Sequence, residues 1–255
     1  MNRFKNILLM AKKTLTDPAG AAADFMAPGT GFGGPLAVYF AYCAAYALFL
    51  YIKPIDFPAD FSETAGEFSG KSYAWLLTVH SFLDLTFSCA LCALFAAFAG
   101  FMKDGRLIFR LLCGCAACGA YAAAAFYYKA EPLFVLPFLA AAGAAAYAGV
   151  RAKKTETFAF FRFSLAVNAA MLICLPASLL AAVMRNETLY TAAESAGGIW
   201  LMVLIIKAAK TIFGGTMVRL TLTLLFSMAA AVLSFYALKN IGIIPSSVFR
   251  FMMFM

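Results

Sequence analysis

The stretch YAWLLTVHSFLDLTFSCALCALFAAFAGFM, residues 73–102, decides the fold. It is long and apolar enough to cross the hydrocarbon core of a bilayer, which takes about 20 apolar residues in a helix. It also contains His80, the only histidine of the chain, and Asp84, the only carboxylate that we expect inside the membrane. Because backbone N–H and C=O groups must bond internally in lipid, the stretch is predicted to be a transmembrane helix.

The composition extends this prediction to the whole chain. Of its 255 residues, 64% are hydrophobic and only 13% are charged, which is more apolar surface than a soluble domain of this size can bury. The apolar runs are continuous, which favours helices over the alternating strands of a membrane barrel. We predict an all-α polytopic transmembrane bundle of about seven spans. The spans are 35–52, 73–102, 107–128, 133–150, 163–184, 198–213 and 217–238. Five spans would result if 107–128 and 133–150 formed a re-entrant pair.

The two ends of the chain differ from the transmembrane bundle, 35–240. Residues 1–34 are predicted to form a cytoplasmic, amphipathic N-terminal segment. Within residues 3–15 the apolar side chains share one helical face, as in helices that lie in the membrane interface. That face consists of Phe4, Ile7, Leu8, Ala11 and Leu15. The short C-terminal tail, 241–255, is apolar but too broken by Pro245 to span.

A second helix is predicted to follow the amphipathic one. Thr16, Asp17 and Pro18 have the pattern of a helix start, with a capping side chain and a proline in the first turn, and the helix should run through Met26. The glycine-rich residues 27–35 lack the Gly-Lys-Ser/Thr ending of a phosphate-binding loop. They are predicted to be the hinge into the bilayer.

The distribution of basic residues predicts the orientation. With the N-terminus in the cytoplasm, the loop 53–72 is outside and carries Asp56, Asp60, Glu63 and Glu67. Most lysines and arginines then fall on the inner side, as cytoplasmic loops prefer. These residues are Arg3, Lys5, Lys12, Lys13, Lys103, Arg106, Arg110, Arg151, Lys153, Lys154, Arg162, Lys207, Lys210 and Arg219. The pattern predicts the N-terminus inside and the C-terminus outside.

Basic residues at helix ends indicate anionic lipid headgroups as partners, and not nucleic acid, although the net charge is +8. The candidate lipid or partner contacts are Lys12, Lys13, Lys153, Lys154, Lys207 and Lys210. Snorkelling to the interface also explains the last two. Other membrane or membrane-associated proteins, and a second copy of the chain, are further expected partners. The compact loops and the lack of a targeting segment favour a bacterial cytoplasmic (inner) membrane.

His80, Asp84 and Asn168 form the candidate intramembrane polar site. His80 and Asp84 are four residues apart, so they share a helix face and can hydrogen-bond. Ionisable groups inside a span suggest proton relay or ion binding, but a structural or interfacial pair is the simpler interpretation. Two ligands are too few for a metal site. Asn168 and Pro176 predict a kink, with a transporter-like discontinuous helix as the alternative.

The remaining motifs favour packing over chemistry. The pairs Cys89/Cys92 and Cys115/Cys118 lie inside apolar runs, where small residues let helices approach closely. Gly114 with Cys118 fits the same spacing rule. The sequence shows no nucleophile elbow, zinc-protease motif, phosphate-binding loop or paired carboxylates. We therefore predict no enzyme activity, no cofactor and no metal.

Four stretches resemble the Yip1-domain family of integral membrane proteins. ILLMAKKTLTDPAGAAADFM (7–26) is similar to that family's short helix, Asp-Pro and following helix, and GFGGPLAVYFAYCAAYALF (31–49) to its first span. RAKKTETFAFFRFSLAVNAAMLICLPASLL (151–180) resembles its basic loop and the span with a late proline. GIWLMVLIIKAAKTIFGGTMVRLTLTLLF (198–226) resembles its closing helix pair. The family usually has five spans, so the Ala-rich residues 107–150 depart from it.

The resemblance implies a helical bundle with the N-terminus inside and the C-terminus outside. In eukaryotic members it implies vesicle trafficking and small GTPases, and in prokaryotic relatives no settled role. The expected function is a non-enzymatic membrane organiser or adaptor with a basic cytoplasmic face. The alternative is a small transporter or channel with a polar path near His80, Asp84 and Asn168.

Overall fold

A computed structural model describes residues 2–54, 57, 70–127 and 132–253, and over these residues the chain forms helices and no strands. Its helices are α1 (Asn2–Thr16), α2 (Pro18–Met26), α3 (Gly33–Ile52), α4 (Tyr73–Lys103), α5 (Leu107–Tyr127), α6 (Leu136–Ala152), α7 (Lys154–Ala166), α8 (Ala169–Val183), α9 (Glu187–Phe213), α10 (Met217–Asn240) and α11 (Ser246–Met253). The 3-10 helix Pro132–Val135 leads into α6.

Seven helical stretches of the described chain are long and apolar enough to cross a membrane, which confirms the predicted polytopic bundle. They are α3, α4, α5, α6 with its preceding turn, α7 joined to α8, α9 and α10. The two Ala-rich helices α5 and α6 are each long and apolar enough to span, so both belong to the seven. Most of the predicted acidic loop, including Asp56, Asp60, Glu63 and Glu67, lies outside the described residues, as does Tyr128, the predicted end of the third span.

Two spans begin earlier than predicted. The fifth begins at Lys154 and not at residue 163, and the sixth begins at Glu187 and not at residue 198. Asn186 caps the sixth span, because its side chain accepts a hydrogen bond from the Leu189 N–H at 2.9 Å. The sequence prediction counted the polar first turns as loop, but an N-cap followed by an acidic first turn is a stable helix start. Glu194 is therefore inside the helix of the sixth span, seven residues from its start, and not in the preceding loop as predicted.

The helix α4 is central to the bundle and packs against α3, α6, α7 and α10. It is in close contact with α6, where a Cβ on Gly149 would lie 2.5 Å from the backbone nitrogen of Ala97. Nearby, the Phe95 ring packs on those of Phe160 and Phe213, with centroids 4.5 and 5.2 Å away. Close backbone approach at a small residue, next to interlocking aromatic rings, is how helices associate in lipid.

The N-terminal helices α1 and α2 lie against the bundle. The Asp17 carboxylate accepts from the Gly20 N–H at 3.0 Å, as the predicted helix start requires. Phe25 of α2 is buried with its ring edge-on to Phe163. Its carbonyl oxygen accepts from Arg162 Nη1 at 2.7 Å, which ties α2 to α7.

Some of the small residues of α5 pack inside the bundle, and others are exposed. Gly114 is buried where an added Cβ would lie 2.7 Å from the Phe226 ring, in accord with its predicted packing role. Cys115 is exposed, and a Cβ on Gly119 would meet no atom within 4 Å, so these two do not pack inside the bundle. All seven cysteines are free thiols.

Candidate functional site

Three tyrosines on one face of α3 are buried, and two of them contact the histidine of α4. Tyr39, Tyr42 and Tyr46 follow helical spacing, and all three are buried. The Tyr46 ring stacks on the His80 imidazole with centroids 4.8 Å apart, and Tyr42 meets it edge-on at 5.6 Å. His80 is fully buried. It therefore faces a contact between α3 and α4, and not lipid.

Asp84 lies one turn further along α4, toward the middle of the span. The Tyr39 hydroxyl donates to the Ser81 carbonyl oxygen at 2.6 Å, and the Asp84 carboxyl group lies beside the same hydroxyl. Among the described residues, Asp84 Oδ2 and Ser81 Oγ are buried without a hydrogen-bond partner. His80 and Asp84 thus share the predicted helix face, which is turned toward the tyrosines of α3.

Glu194 of α9 adds a second carboxylate, which the sequence interpretation missed. Ser178 of α8 donates a 2.6 Å hydrogen bond to Glu194 Oε1. The same carboxylate interacts electrostatically with Tyr42 and Tyr46, the tyrosines that also interact with Asp84. The signal that would have found it is the capping residue Asn186, since a helix starting there includes Glu194.

Lys53 stands at the end of α3 near this second carboxylate. Its Nζ lies 5.9 Å from the centroid of the Tyr190 ring. Burial lowers the pKa of the Lys53 ammonium, and the negative charge of Glu194 opposes that shift. Phe57 is buried and its ring is edge-on to Tyr190. Polar side chains therefore occur from this helix end, at Lys53, toward the middle of the bundle, at Asp84.

No protein-family model, curated protein or solved structure matches the chain. Function must then follow from its own residues. In the described parts of the chain, no group of three or more His, Cys, Asp and Glu side chains could hold a metal ion.

Asn168 is not part of this site. Its amide donates to the carbonyl oxygens of Ser164 and Leu165, at 3.2 and 3.4 Å, within its own span. It stands at the break between α7 and α8, and Pro176 lies inside α8. The structure therefore assigns Asn168 to the helix break and does not bring it together with His80 and Asp84.

The second candidate surface is the end of the bundle at which α2, the α6–α7 junction and the α9–α10 turn meet; we call it the basic end. Three of its arginines are used in packing. Arg162 binds Phe25, Arg110 Nε donates to the Asp104 carbonyl oxygen at 3.3 Å, and Arg219 donates to three carbonyls of the turn after α4.

The six predicted contact lysines divide into two groups. Lys13 forms a 2.5 Å ion pair with Asp24, and Lys153 Nζ lies 5.4 Å from the centroid of the Phe213 ring. Burial lowers the pKa of the Lys153 ammonium, with a further contribution from the charge of Lys103. The other four are exposed, namely Lys12, Lys154, Lys207 and Lys210.

The predicted orientation can be tested on exposed lysines at opposite ends of the bundle. We expect a cysteine in Lys71→Cys to react with a membrane-impermeant maleimide added to intact cells. A cysteine in Lys154→Cys should react only after the cells are permeabilised, because the basic end is expected to face the cytoplasm. Maleimide labelling of the native protein gives the background that comes from its own free thiols. Labelling of Lys154→Cys from outside would reverse the orientation.

Proposed function

We propose that the chain is a non-enzymatic, Yip1-like integral membrane protein, an organiser or adaptor that gathers anionic lipids at its basic end. In this proposal the basic end faces the cytoplasm of a bacterial cell, and membrane-associated proteins are further partners. The observation that carries the proposal is the two-sided character of α1.

One side of α1 is docked on the protein. Thr14 is fully buried, and Met10 packs against the core cluster that includes Phe25. The other side is exposed, although it contains the large apolar residues Phe4, Leu8 and Leu9, at 69%, 54% and 54% exposure.

Two exposed lysines, Lys5 and Lys12, occupy the middle of that outer side. At 100° per residue they fall between Leu8 and Leu9 around the helix axis. An exposed strip that combines large apolar side chains with lysines fits the boundary between headgroups and acyl chains. Anionic headgroups attract each such lysine by about 1 kcal/mol. This supports α1 as a lipid-binding helix held at a fixed place on the bundle.

Neutralising the outer side of α1 tests the proposal. We expect the Lys5→Gln, Lys12→Gln double variant to retain phosphatidylglycerol roughly thirtyfold less well, because two lysine–headgroup attractions of about 1 kcal/mol each are lost. The measurement is native mass spectrometry of lipids retained from nanodiscs of phosphatidylcholine and phosphatidylglycerol.

The matched control is Lys71→Gln with Lys239→Gln, which removes the same charge at the opposite end. Retention in this control should match that of the native protein. Added salt should weaken retention by the native protein, because exposed charges are screened. Equal retention in the two double variants would contradict lipid binding by α1.

A further inference from the structure

The surroundings of Asp84 disfavour a permanently ionised carboxylate. Its Oδ2 atom is buried and lacks a hydrogen-bond partner among the described residues, and so does Ser81 Oγ, three residues earlier on the same helix face. A carboxylate in the middle of a span is costly unless it is paired or neutralised. The described residues place no lysine or arginine within ion-pair distance of it.

The neighbours of Asp84 supply hydroxyl and aromatic groups and no positive charge. Those facing it from α3 are Tyr39, Tyr42, Cys43 and Tyr46, and His80 precedes it on α4. From the other helices packed against α4, no charged group of the described chain interacts with it. A proton is the smallest cation that can neutralise the carboxylate without displacing these side chains.

We infer that Asp84 is a proton-exchange site that is reached from the end of the bundle opposite the basic end, with Glu194 as the entrance residue. Binding forms one O–H bond at the carboxylate and breaks one O–H bond of a hydronium ion, which remains as water. The new O–H can donate a hydrogen bond, and Ser81 Oγ, on the same helix face, is a possible acceptor. The inference does not depend on the lipid contacts proposed for α1.

Two observations indicate the direction of access. Glu194 lies seven residues into α9, about 10 Å from the helix end at 1.5 Å per residue. Tyr42 and Tyr46 are within electrostatic range of both Glu194 and Asp84, and both rings contact His80. Tyrosine and histidine side chains are therefore available to carry a proton from Glu194 to Asp84.

The opposite route is apolar. Toward the basic end, α4 packs Phe95 against Phe160 and Phe213. The buried hydroxyls of this region, on Thr157, Thr223 and Ser227, each donate to a carbonyl oxygen of their own helix. They form no chain from one helix to the next, which favours proton entry from the end opposite the basic end.

The test is infrared difference spectroscopy on the full chain in proteoliposomes, with the external pH lowered while the internal pH is buffered. We expect a protonated-carboxyl C=O band in the native protein. Labelling aspartate with ¹³C at the side-chain carboxyl should shift this band, which assigns it to aspartate in the unaltered chain. The band should be absent in Asp84→Asn, and it should persist at a changed frequency in Asp84→Glu. Asp24→Asn, which removes a surface carboxylate, is the matched control and should leave it unchanged.

The entrance is tested by kinetics. After an external pH jump, Glu194→Gln should delay the rise of the band by tenfold or more and leave its final size unchanged. A band that is absent from the native protein, insensitive to aspartate labelling, or retained in Asp84→Asn would overturn the inference. An unchanged rate in Glu194→Gln, or a band that follows the internal pH, would overturn the direction of access.

Discussion

Replacing Gly149 with leucine is expected to destabilise the bundle by about 3 kcal/mol or more, the upper range for overpacked cores. A Cβ at this position would lie 2.5 Å from the Ala97 nitrogen and 2.8 Å from its Cα. Both are backbone atoms of α4, so no side chain can rotate away to make room. The helices α4 and α6 would have to separate along one of the closest contacts in the molecule.

The matched control is Gly143→Leu, in the same helix. A Cβ at Gly143 meets no atom within 4 Å, so this substitution adds the same side chain without a clash. Unfolding by sodium dodecyl sulfate, followed by fluorescence of Trp75 and Trp200, gives the free energy of unfolding for both variants. Equal stability of the two would mean that α6 does not pack on α4 at Gly149.

Replacing Arg219 with alanine is expected to cost about 2–4 kcal/mol, because hydrogen bonds to a charged donor contribute more than neutral ones. Its guanidinium donates to the carbonyl oxygens of Met102, Lys103 and Gly105, at 2.6, 2.7 and 2.8 Å. These carbonyls belong to the end of α4 and the following turn, where a helix lacks internal donors. One side chain of α10 thus closes the turn between α4 and α5.

Two further variants separate geometry from charge at this turn. Arg219→Lys keeps the charge but lacks the planar guanidinium that can reach several acceptors, so it should recover only part of the lost stability. Arg106→Ala removes an exposed arginine from the same turn and should change the free energy of unfolding by less than about 0.5 kcal/mol. The same detergent titration measures both. A loss in Arg106→Ala as large as in Arg219→Ala would indicate a general charge effect.

The sequence predicted the spans well because their signal is local. A run such as residues 73–102 identifies a span from length and apolarity alone, and α4 is indeed the helix around which the others pack. Asp17 was recognised as a cap and the structure agrees. Asn186 was not, because the polar residues after it, Glu187 and Glu194, resemble a loop when each is read singly.

The candidate site was predictable only in part. Spacing placed His80 and Asp84 on one helix face, and both do face α3. Which helix lies opposite depends on packing between segments distant in sequence, so the contact with the tyrosine face of α3 could not be predicted. The polar character of Asn168 suggested a place in the same path, but its amide binds carbonyl oxygens of its own span.

The spanning helices differ in length, and this affects the surrounding bilayer. The helix α3 has 20 residues and α4 has 31, which correspond to about 30 and 46 Å at 1.5 Å per residue. The first matches the thickness of an ordinary hydrocarbon layer, whereas the second exceeds it. Lipids beside the longer helices must stretch, or those helices must tilt or project into the headgroups. The molecule is thus expected to impose unequal thickness on the lipids around its circumference.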